Sequence, residues 1–382
     1  MSGEPIDRAS FVLPIRPDLV GVRSYGAPQL DVPARLNVNE NPFPLPAELV
    51  DAISDSVRAV ASGLNRYPDR DATALRQALA DYVSTEASAR VGVDQVWAAN
   101  GSNEVMHQLF LAFGGPGRSA LTFAPTYSMY PEYARDTFTG FTAIPRDAEF
   151  GVDLATALPA IRELQPSLVL VTSPNNPSGT ALPQADLLAI ADVAIEQGAM
   201  VIVDEAYAEF RRDGTPSALE LLDRYSNLVV TRTMSKAFGL AGARVGYAVA
   251  ADPSVIDALS IVRLPYHLSA VTQAVALAAL EHAEALLSQV AMLRDERDRL
   301  LDWLVAQGFG VAPSDANFIM FSGVDDRDRV WRALLDEGVL IRQPEPAGWL
   351  RVSIGTPNEN DMFRLALLAA TEQDTTPKKG TP

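Results

Sequence analysis

From about residue 94 to residue 250 the sequence repeats one pattern: a short apolar run, a turn, then a stretch with helical periodicity. QVWAAN leads into SNEVMHQLFLAF, SALTFAP into TYSMYPEYARD, and SLVLVTSP into PQADLLAIADVAIEQG. The runs AMVIVDEAY, NLVVTRT and RVGYAVA follow. A strand without polar alternation is buried on both faces, and strands separated by helices join side by side through crossovers. The region therefore reads as α/β, a mostly parallel sheet covered by helices.

After residue 255 the character changes. EALLSQVAMLRDERDRLLDWLVAQG places Leu286, Val290, Leu293, Arg297, Leu300 and Leu304 on one helical stripe, with Gly308 as the stop signal. Its RDERDR run reads most simply as a solvated face. Two β-like runs, ANFIMF and WLRVSIGT, and two more helices follow, the content of a smaller α+β domain. A chain of 382 residues exceeds the usual size of one core. The expected division is an arm over residues 1–42 packing with the small domain, a large domain over 43–262, a small domain over 263–372 and a disordered polar tail over 373–382.

A net charge of −17 argues against nucleic acid as a partner, since phosphates require a basic face. A few clustered arginines still suffice to reverse the field locally for a small anion. The absence of cysteine excludes disulfides and thiolate chemistry and fits a reducing compartment. The N-terminal MSGEPIDRASFVLPIRPDLV has acids and prolines where a signal peptide needs an unbroken apolar run, and nowhere do 18 apolar residues follow one another. The expectation is a cytoplasmic protein with no membrane partner.

Of 31 basic residues only three are lysine, and two of those, Lys378 and Lys379, sit in the last five positions. Lys236, in TRTMSKAFGLAGARVGY, is thus the one lysine of the first 377 residues. Arginine keeps its proton and forms no imine, whereas lysine does both once its pKa falls from ~10.4. A position that retains lysine in an arginine-rich chain points to Schiff-base chemistry, and the cofactor that most often needs it is pyridoxal phosphate.

That cofactor requires an acid at its ring nitrogen, donors at its phenolic oxygen, an aromatic over the ring and a phosphate nest. Asp204 ends the apolar run VIVD, 32 residues before Lys236, at the strand end where such sheets open their ligand crevice. Tyr207, three residues on, is either a donor to the phenolic oxygen or ordinary packing. SPNNPSG offers Asn175 and Asn176 after a strand, although such turns are common. Gly101, Ser102 and Asn103 in NGSNE form either a phosphate site at a helix N-terminus or a plain N-cap. Thr233, Ser235 and Arg244 surround Lys236 with two hydroxyls and a guanidinium.

The ordered set of these residues, together with Tyr127, Asn176-Pro177-Ser178-Gly179 and Arg351, resembles the fold type I pyridoxal-phosphate aminotransferases over roughly residues 35–370. The resemblance implies a large domain with a mostly parallel sheet plus a small α+β domain. It makes Lys236 the catalytic residue that holds the cofactor as an imine and later shuttles a proton. Asp204 then pairs with the pyridine nitrogen, Asn176 and Tyr207 bond the phenolic oxygen, and Tyr127 stacks on the ring. Gly101, Ser102, Asn103, Thr233, Ser235 and Arg244 cradle the phosphate, and Arg351 binds the anionic end of the substrate.

Within that group, LNVNENPFP (36–44), LNRYPDRD (64–71), VRLPYHLSA (262–270) and the entry segment RSYGAPQ resemble the histidinol-phosphate aminotransferases. This second resemblance implies substrate contacts at Tyr25, Asn41, Arg342 and Arg351. It also implies a homodimer in which Tyr67 reaches the cofactor phosphate of the other subunit. The implied reaction is ping-pong amino transfer from L-glutamate, which leaves as 2-oxoglutarate, to imidazole-acetol phosphate, giving histidinol phosphate. Histidinol phosphate has no α-carboxylate, so one pocket must accept a phosphate or a carboxylate, and the fork of Arg351 suits both. Arg342 is a second charge for that pocket or a surface ion pair. Tyr25 and Tyr266 are candidates for the imidazole, or core residues.

Competing expectations are an aromatic amino acid aminotransferase, a pyridoxal-phosphate decarboxylase of threonine phosphate, and a ligand-sensing regulator. The last lacks a basic helix-turn-helix segment. No G-x-G-x-x-G follows any strand, which sets a nicotinamide enzyme aside. His107, His267 and His282 are too scattered for a metal cluster, so no metal is expected.

Overall fold

The computed structural model describes residues 13–372; residues 1–12 of the expected arm and the tail expected to be disordered, 373–382, lie outside them. A short strand β1 (Ala34–Arg35) precedes helices α1 (Ala47–Ala61) and α2 (Thr73–Glu86). Next come β2 (Val96–Ala99), α3 (Ser102–Phe113), β3 (Ser119–Ala124), α4 (Tyr130–Asp136) and β4 (Gly140–Pro145). The repeat continues through α5 (Leu154–Leu164), β5 (Leu168–Thr172), α6 (Gln184–Glu196) and β6 (Met200–Asp204). Strands β7 (Leu228–Thr233) and β8 (Gly246–Ala250) close it. Three helices follow, α7 (Ser254–Val262), α8 (Ala270–Glu281) and α9 (Ala283–Ala306). The described residues end with β9 (Gly310–Val311), β10 (Phe318–Ser322), α10 (Arg327–Asp336), β11 (Val339–Leu340), β12 (Trp349–Ser353) and α11 (Pro357–Glu372).

The large sheet has the order β2-β8-β7-β6-β5-β3-β4, parallel except for β8, which is antiparallel to both neighbours. All six apolar runs are strands of this sheet. Alternate side chains feed two separate cores: Val169, Val171, Val201 and Val203 enter one, while Leu168, Leu170 and Ile202 enter the other. This two-faced burial is why the runs lack polar alternation. β4 escaped the sequence pattern because it is an edge strand, nowhere fully buried. In TYSMYPEYARD only the second half is helical, from Tyr130, with Pro131 in the first turn where a missing N–H costs nothing.

The six stripe residues of α9 are all buried, and Gly308 stands beyond its end with φ +87°. The RDERDR run, expected as a solvated face, turns inward at two positions. Arg297 is buried and donates to the carbonyl of Phe210 at 2.6 Å, and buried Glu296 accepts from Asn360 at 2.9 Å. Two small sheets complete the fold: β12-β10-β9, antiparallel, and β1 paired in parallel with β11. Among the described residues no single helix is long and apolar enough to cross a membrane.

A buried ionic knot ties β6, β7 and α2 together. Arg232 on β7 donates to Glu205 at 2.7 and 3.0 Å, to Glu86 of α2 at 2.6 Å and to Ser217 at 3.0 Å. Arg211 reaches Glu86 at 2.9 Å. Burial acts to raise the Glu205 carboxyl, but Arg232 and Arg211 outweigh it and hold it below its ordinary value. Removing one partner from such a knot strands the others without water. The Arg232→Leu variant should therefore lose about 3–5 kcal/mol of stability, read as a lower urea midpoint at unchanged slope.

Candidate active site

Strands β5, β6 and β7 end in one layer, with Thr172 beside Asp204 and Asp204 beside Thr231 in register. In a parallel sheet this carboxyl edge is where the crossovers diverge and a crevice opens. A cavity of about 1090 Å³ lies there, bounded by the loops that follow these strands and by β1, β11 and β12.

Asp204 is 6% exposed and faces this cavity. Tyr130 donates its hydroxyl to Oδ2 at 2.9 Å and the Ala206 N–H donates to Oδ1 at 3.2 Å. Thr172 lies 2.8 Å from the Tyr130 hydroxyl and holds it in place. Burial pushes the carboxyl up to about 6 against the pull of these hydrogen bonds. Among the described residues no cation pairs with it.

Lys236 leaves the end of β7 and donates Nζ to the carbonyl of Val38 at 2.8 Å. Burial, then Arg351 and Arg244, depress its amine to about 8, with Glu40 opposing. Tyr207 accepts from Asn39 Nδ2 at 2.9 Å and from Asn176 Nδ2 at 3.3 Å. With both lone pairs used in this way, its own proton is left to point at a ligand. Burial raises that hydroxyl to about 12, so it is a donor at neutral pH.

The other end of the cavity is a cradle of backbone and hydroxyl groups. Gly101 has φ +83°, and a Cβ there would stand 2.7 Å from Nη2 of Arg244. A Cβ on Gly246 would come within 2.1 Å of the Ser102 nitrogen. The two glycines thus let the uncapped N-terminus of α3 lie against β8 and Arg244. Ser102, Asn103, Thr233, Ser235 and Arg244 all border the cavity here. Thr233 donates to Ser235 at 2.9 Å, and Arg244 donates to the carbonyl of Ala241 at 3.0 Å. Tyr127 borders the cavity and donates to Asn103 at 3.1 Å.

On the opposite wall Arg351 donates to Asn176 and to the carbonyl of Asn37, the latter at 2.9 Å, above the ring of Phe318. Burial and the neighbouring Arg342 lower its guanidinium to about 10, still fully protonated at neutral pH. Arg342 joins it across an isolated antiparallel bridge. Tyr25 reaches the cavity mouth, its hydroxyl 3.4 Å from Ser128.

Three expected residues do not border this protomer's cavity, which for Tyr67 agrees with its expected place at the other subunit's site. Asn41 does not border the cavity; its Oδ1 accepts from the Phe43 N–H at 3.0 Å, and Asn39 of the same motif takes the inward place. Tyr67 is 79% exposed and stacks on Tyr266 at 4.3 Å, outside the cavity. Gly101 acts through the space it leaves for Arg244. Asn175 is a buried brace, donating to Pro125 at 3.1 Å and Ser178 at 2.7 Å. His267 stacks on Trp97 at 5.4 Å, and His282 bonds the carbonyl of Ala278 at 2.9 Å. Among the described residues no group of three or more His, Asp or Glu is placed to hold a metal.

Sequence reasoning missed Asn39, Tyr130 and Thr172. Asn39 stood in view within LNVNENPFP, but nothing in the sequence says which of its asparagines turns inward. Tyr130 and Thr172 touch Asp204 only through the fold.

The family model for aminotransferase class I and II matches residues 33–367. A histidinol-phosphate aminotransferase of Thermobifida fusca is 60% identical over 361 residues, covering 94% of this chain and 96% of the relative. One from Bifidobacterium longum is 54% identical, covering 93% and 96%. Among solved structures, the histidinol-phosphate aminotransferase of Sinorhizobium meliloti in complex with pyridoxal-5'-phosphate aligns with a TM-score of 0.83 at 24% identity, over 96% of this chain and all of that one. Aspartate aminotransferase from Thermus thermophilus with maleate aligns at 0.76 and 26% identity, over 89% and 91%. Likeness of this extent places the chain in the class I and II aminotransferases and, within them, among the histidinol-phosphate aminotransferases.

Proposed function

We propose that this chain is a pyridoxal-phosphate-dependent transaminase that moves the amino group of L-glutamate to imidazole-acetol phosphate, yielding histidinol phosphate and 2-oxoglutarate in histidine biosynthesis. The observation that carries the reading is one cavity holding a lysine of depressed pKa, a buried carboxylate with no protein cation, and an arginine wall.

The residues present fit the cofactor. The uncompensated charge of Asp204 matches a protonated ring nitrogen, the free proton of Tyr207 matches a phenolic oxygen, and the cradle left by Gly101 and Gly246 matches a phosphate. Lys236 would hold it covalently, Asn176 and Tyr207 would bind the phenolic oxygen, and Tyr127 would cover the ring. Ser102, Asn103, Thr233, Ser235 and Arg244 would hold its phosphate, with the N-terminal end of α3 adding its dipole. When bound, pyridoxal phosphate supplies an electron sink for the carbanion left by proton removal.

The chain's own residues do the rest. Neutral Lys236 would take the substrate α-proton on Nζ and pass it onward rather than back to the α-carbon, and its burial favours the neutral amine. Asp204, held by Tyr130 and Ala206, stays ionised once a cation faces it, because a neighbouring positive charge lowers a carboxyl that burial had raised. Arg351 fixes the anionic end of either substrate so that the α-hydrogen meets Nζ.

The working assembly in this reading is a cytoplasmic homodimer. Exposed Leu64, Tyr67, Ile261 and Leu264 form an apolar surface on adjoining segments, the kind that a second copy covers, and Tyr67 would complete the other subunit's phosphate site. The division into a large unit over 43–262 and a small one over 263–372, with the arm on the latter, belongs to the same proposal. The pairing of β1 with β11 supports the place of the arm.

Three outcomes are expected. Lys236→Ala should lower turnover at least about a thousandfold while the cofactor still copurifies; retained turnover would remove Lys236 from the chemistry. Capture of added cofactor by the apoprotein needs the neutral amine, so its rate should rise with pH and level off above about 8, instead of near the ordinary lysine value of 10.5. Mixing holoenzyme with L-histidinol phosphate should convert its cofactor to pyridoxamine phosphate, measured by chromatography of the released cofactor. Faster conversion by L-phenylalanine would instead make this an aromatic amino acid aminotransferase.

A further inference from the structure

The arginine wall has a third member that sequence reasoning did not single out. β1 and β11 pair in parallel with Arg35 beside Leu340, so Asn37 falls beside Arg342, and Arg342 bridges to Arg351. Directly paired residues project from the same face of a sheet, and residues two apart share a face. Arg35, Arg342 and Arg351 therefore occupy one face of this three-strand edge. The opposite face confirms the phase: Ala34, Leu36, Val339, Ile341, Leu350 and Val352 all enter the main hydrophobic core.

All three arginines border the cavity. Arg351 is buried and bonded to protein groups. Among the described residues, Arg35 and Arg342 have no ion pair and no side-chain hydrogen bond. Asp31, Glu40 and Glu345 also border the cavity, yet none stands within ion-pair distance of either guanidinium. Most other cavity-side or interior arginines are bonded, as Arg211, Arg232 and Arg297 are. Two unpaired cations beside a third, on one face, repel one another until an anion enters.

We infer that Arg35 belongs to the substrate-anion subsite and makes it selective for a phosphate dianion over a carboxylate. This rests on the reading of the cavity as a histidinol-phosphate site. A carboxylate has two oxygens and one charge, and the fork of Arg351 satisfies it. A phosphate ester has three terminal oxygens and close to two charges, which leaves acceptors for the unpaired Arg342 and Arg35. Arg35 thus raises the affinity for the phosphorylated substrate without being needed by glutamate. Its place on the exposed side of β1 puts it at the outer end of the subsite, where an incoming anion meets it early.

The test compares wild-type, Arg35→Gln and Arg35→Lys holoenzymes, with inorganic phosphate as a probe competing against glutamate. Arg35→Gln should raise KM for histidinol phosphate about tenfold, change kcat little, and weaken phosphate inhibition by a similar factor. KM for glutamate should stay within about twofold, and Arg35→Lys should recover part of the phosphate affinity. An equal loss on both substrates, or no change on either, overturns the inference. A wild-type enzyme inert toward histidinol phosphate would instead overturn the function proposed above. The phosphate-inhibition arm would then still decide whether Arg35 reads a dianion.

Discussion

The register of three parallel strands is the constraint from which the site follows. With Thr172, Asp204 and Thr231 side by side, β5, β6 and β7 deliver their loops into the same layer. Asn176, Tyr207 and Lys236 lie in those loops, far apart in the sequence and together around one cavity. A slip of one residue in any of these ladders would turn Asp204 away from the cavity and Glu205 toward it.

Those two adjacent carboxylates divide the electrostatics of the molecule. Asp204 and Glu205 project from opposite sides of the same strand end. Glu205 meets Arg232 and Arg211 and is neutralised within the protein, where it locks β7 and α2 to β6. Among the described residues Asp204 meets hydrogen-bond donors and no cation, so it is oriented without its charge being cancelled. One carboxylate is neutralised within the protein, and its neighbour faces the cavity with no cation beside it among the described residues. The ionic knot below the cavity also fixes the end of β7 from which Lys236 departs.

The opposite wall uses the same two-residue period at smaller scale. β1, β11 and β12 turn aliphatic side chains to the core and arginines to the cavity. Because β1 comes from the N-terminal part of the chain and β11 and β12 from the C-terminal part, both termini are needed to build this wall. The cavity is therefore complete only when the large sheet and the small sheets are assembled together. Lys236 feels both, since Arg351 on one side and Arg244 on the other help to depress its amine.

Much of this was legible in the sequence for a physical reason. Unbroken apolar runs between helices have one good solution, a sheet buried on both faces, and one lysine against 28 arginines in the first 377 residues points to chemistry that arginine cannot perform. The expectations for Asp204, Asn176, Tyr207 and Arg351 used local cues, a strand end or a motif, and each of these residues borders the cavity. Other features depended on contacts between distant segments. β4 is an edge strand without a continuous buried run, and Glu296 and Arg297 find buried partners inside a run of charges. Tyr130 meets Asp204 across 74 residues, and Arg35 joins Arg342 only because β1 pairs with β11. Sequence by itself determined which segments must be buried and which side chain stands out as the candidate for imine chemistry, since both follow from local composition. Tertiary structure alone decided which asparagine turns inward, which carboxylate is neutralised and which arginines share a wall, because those depend on strand register between residues the chain keeps far apart.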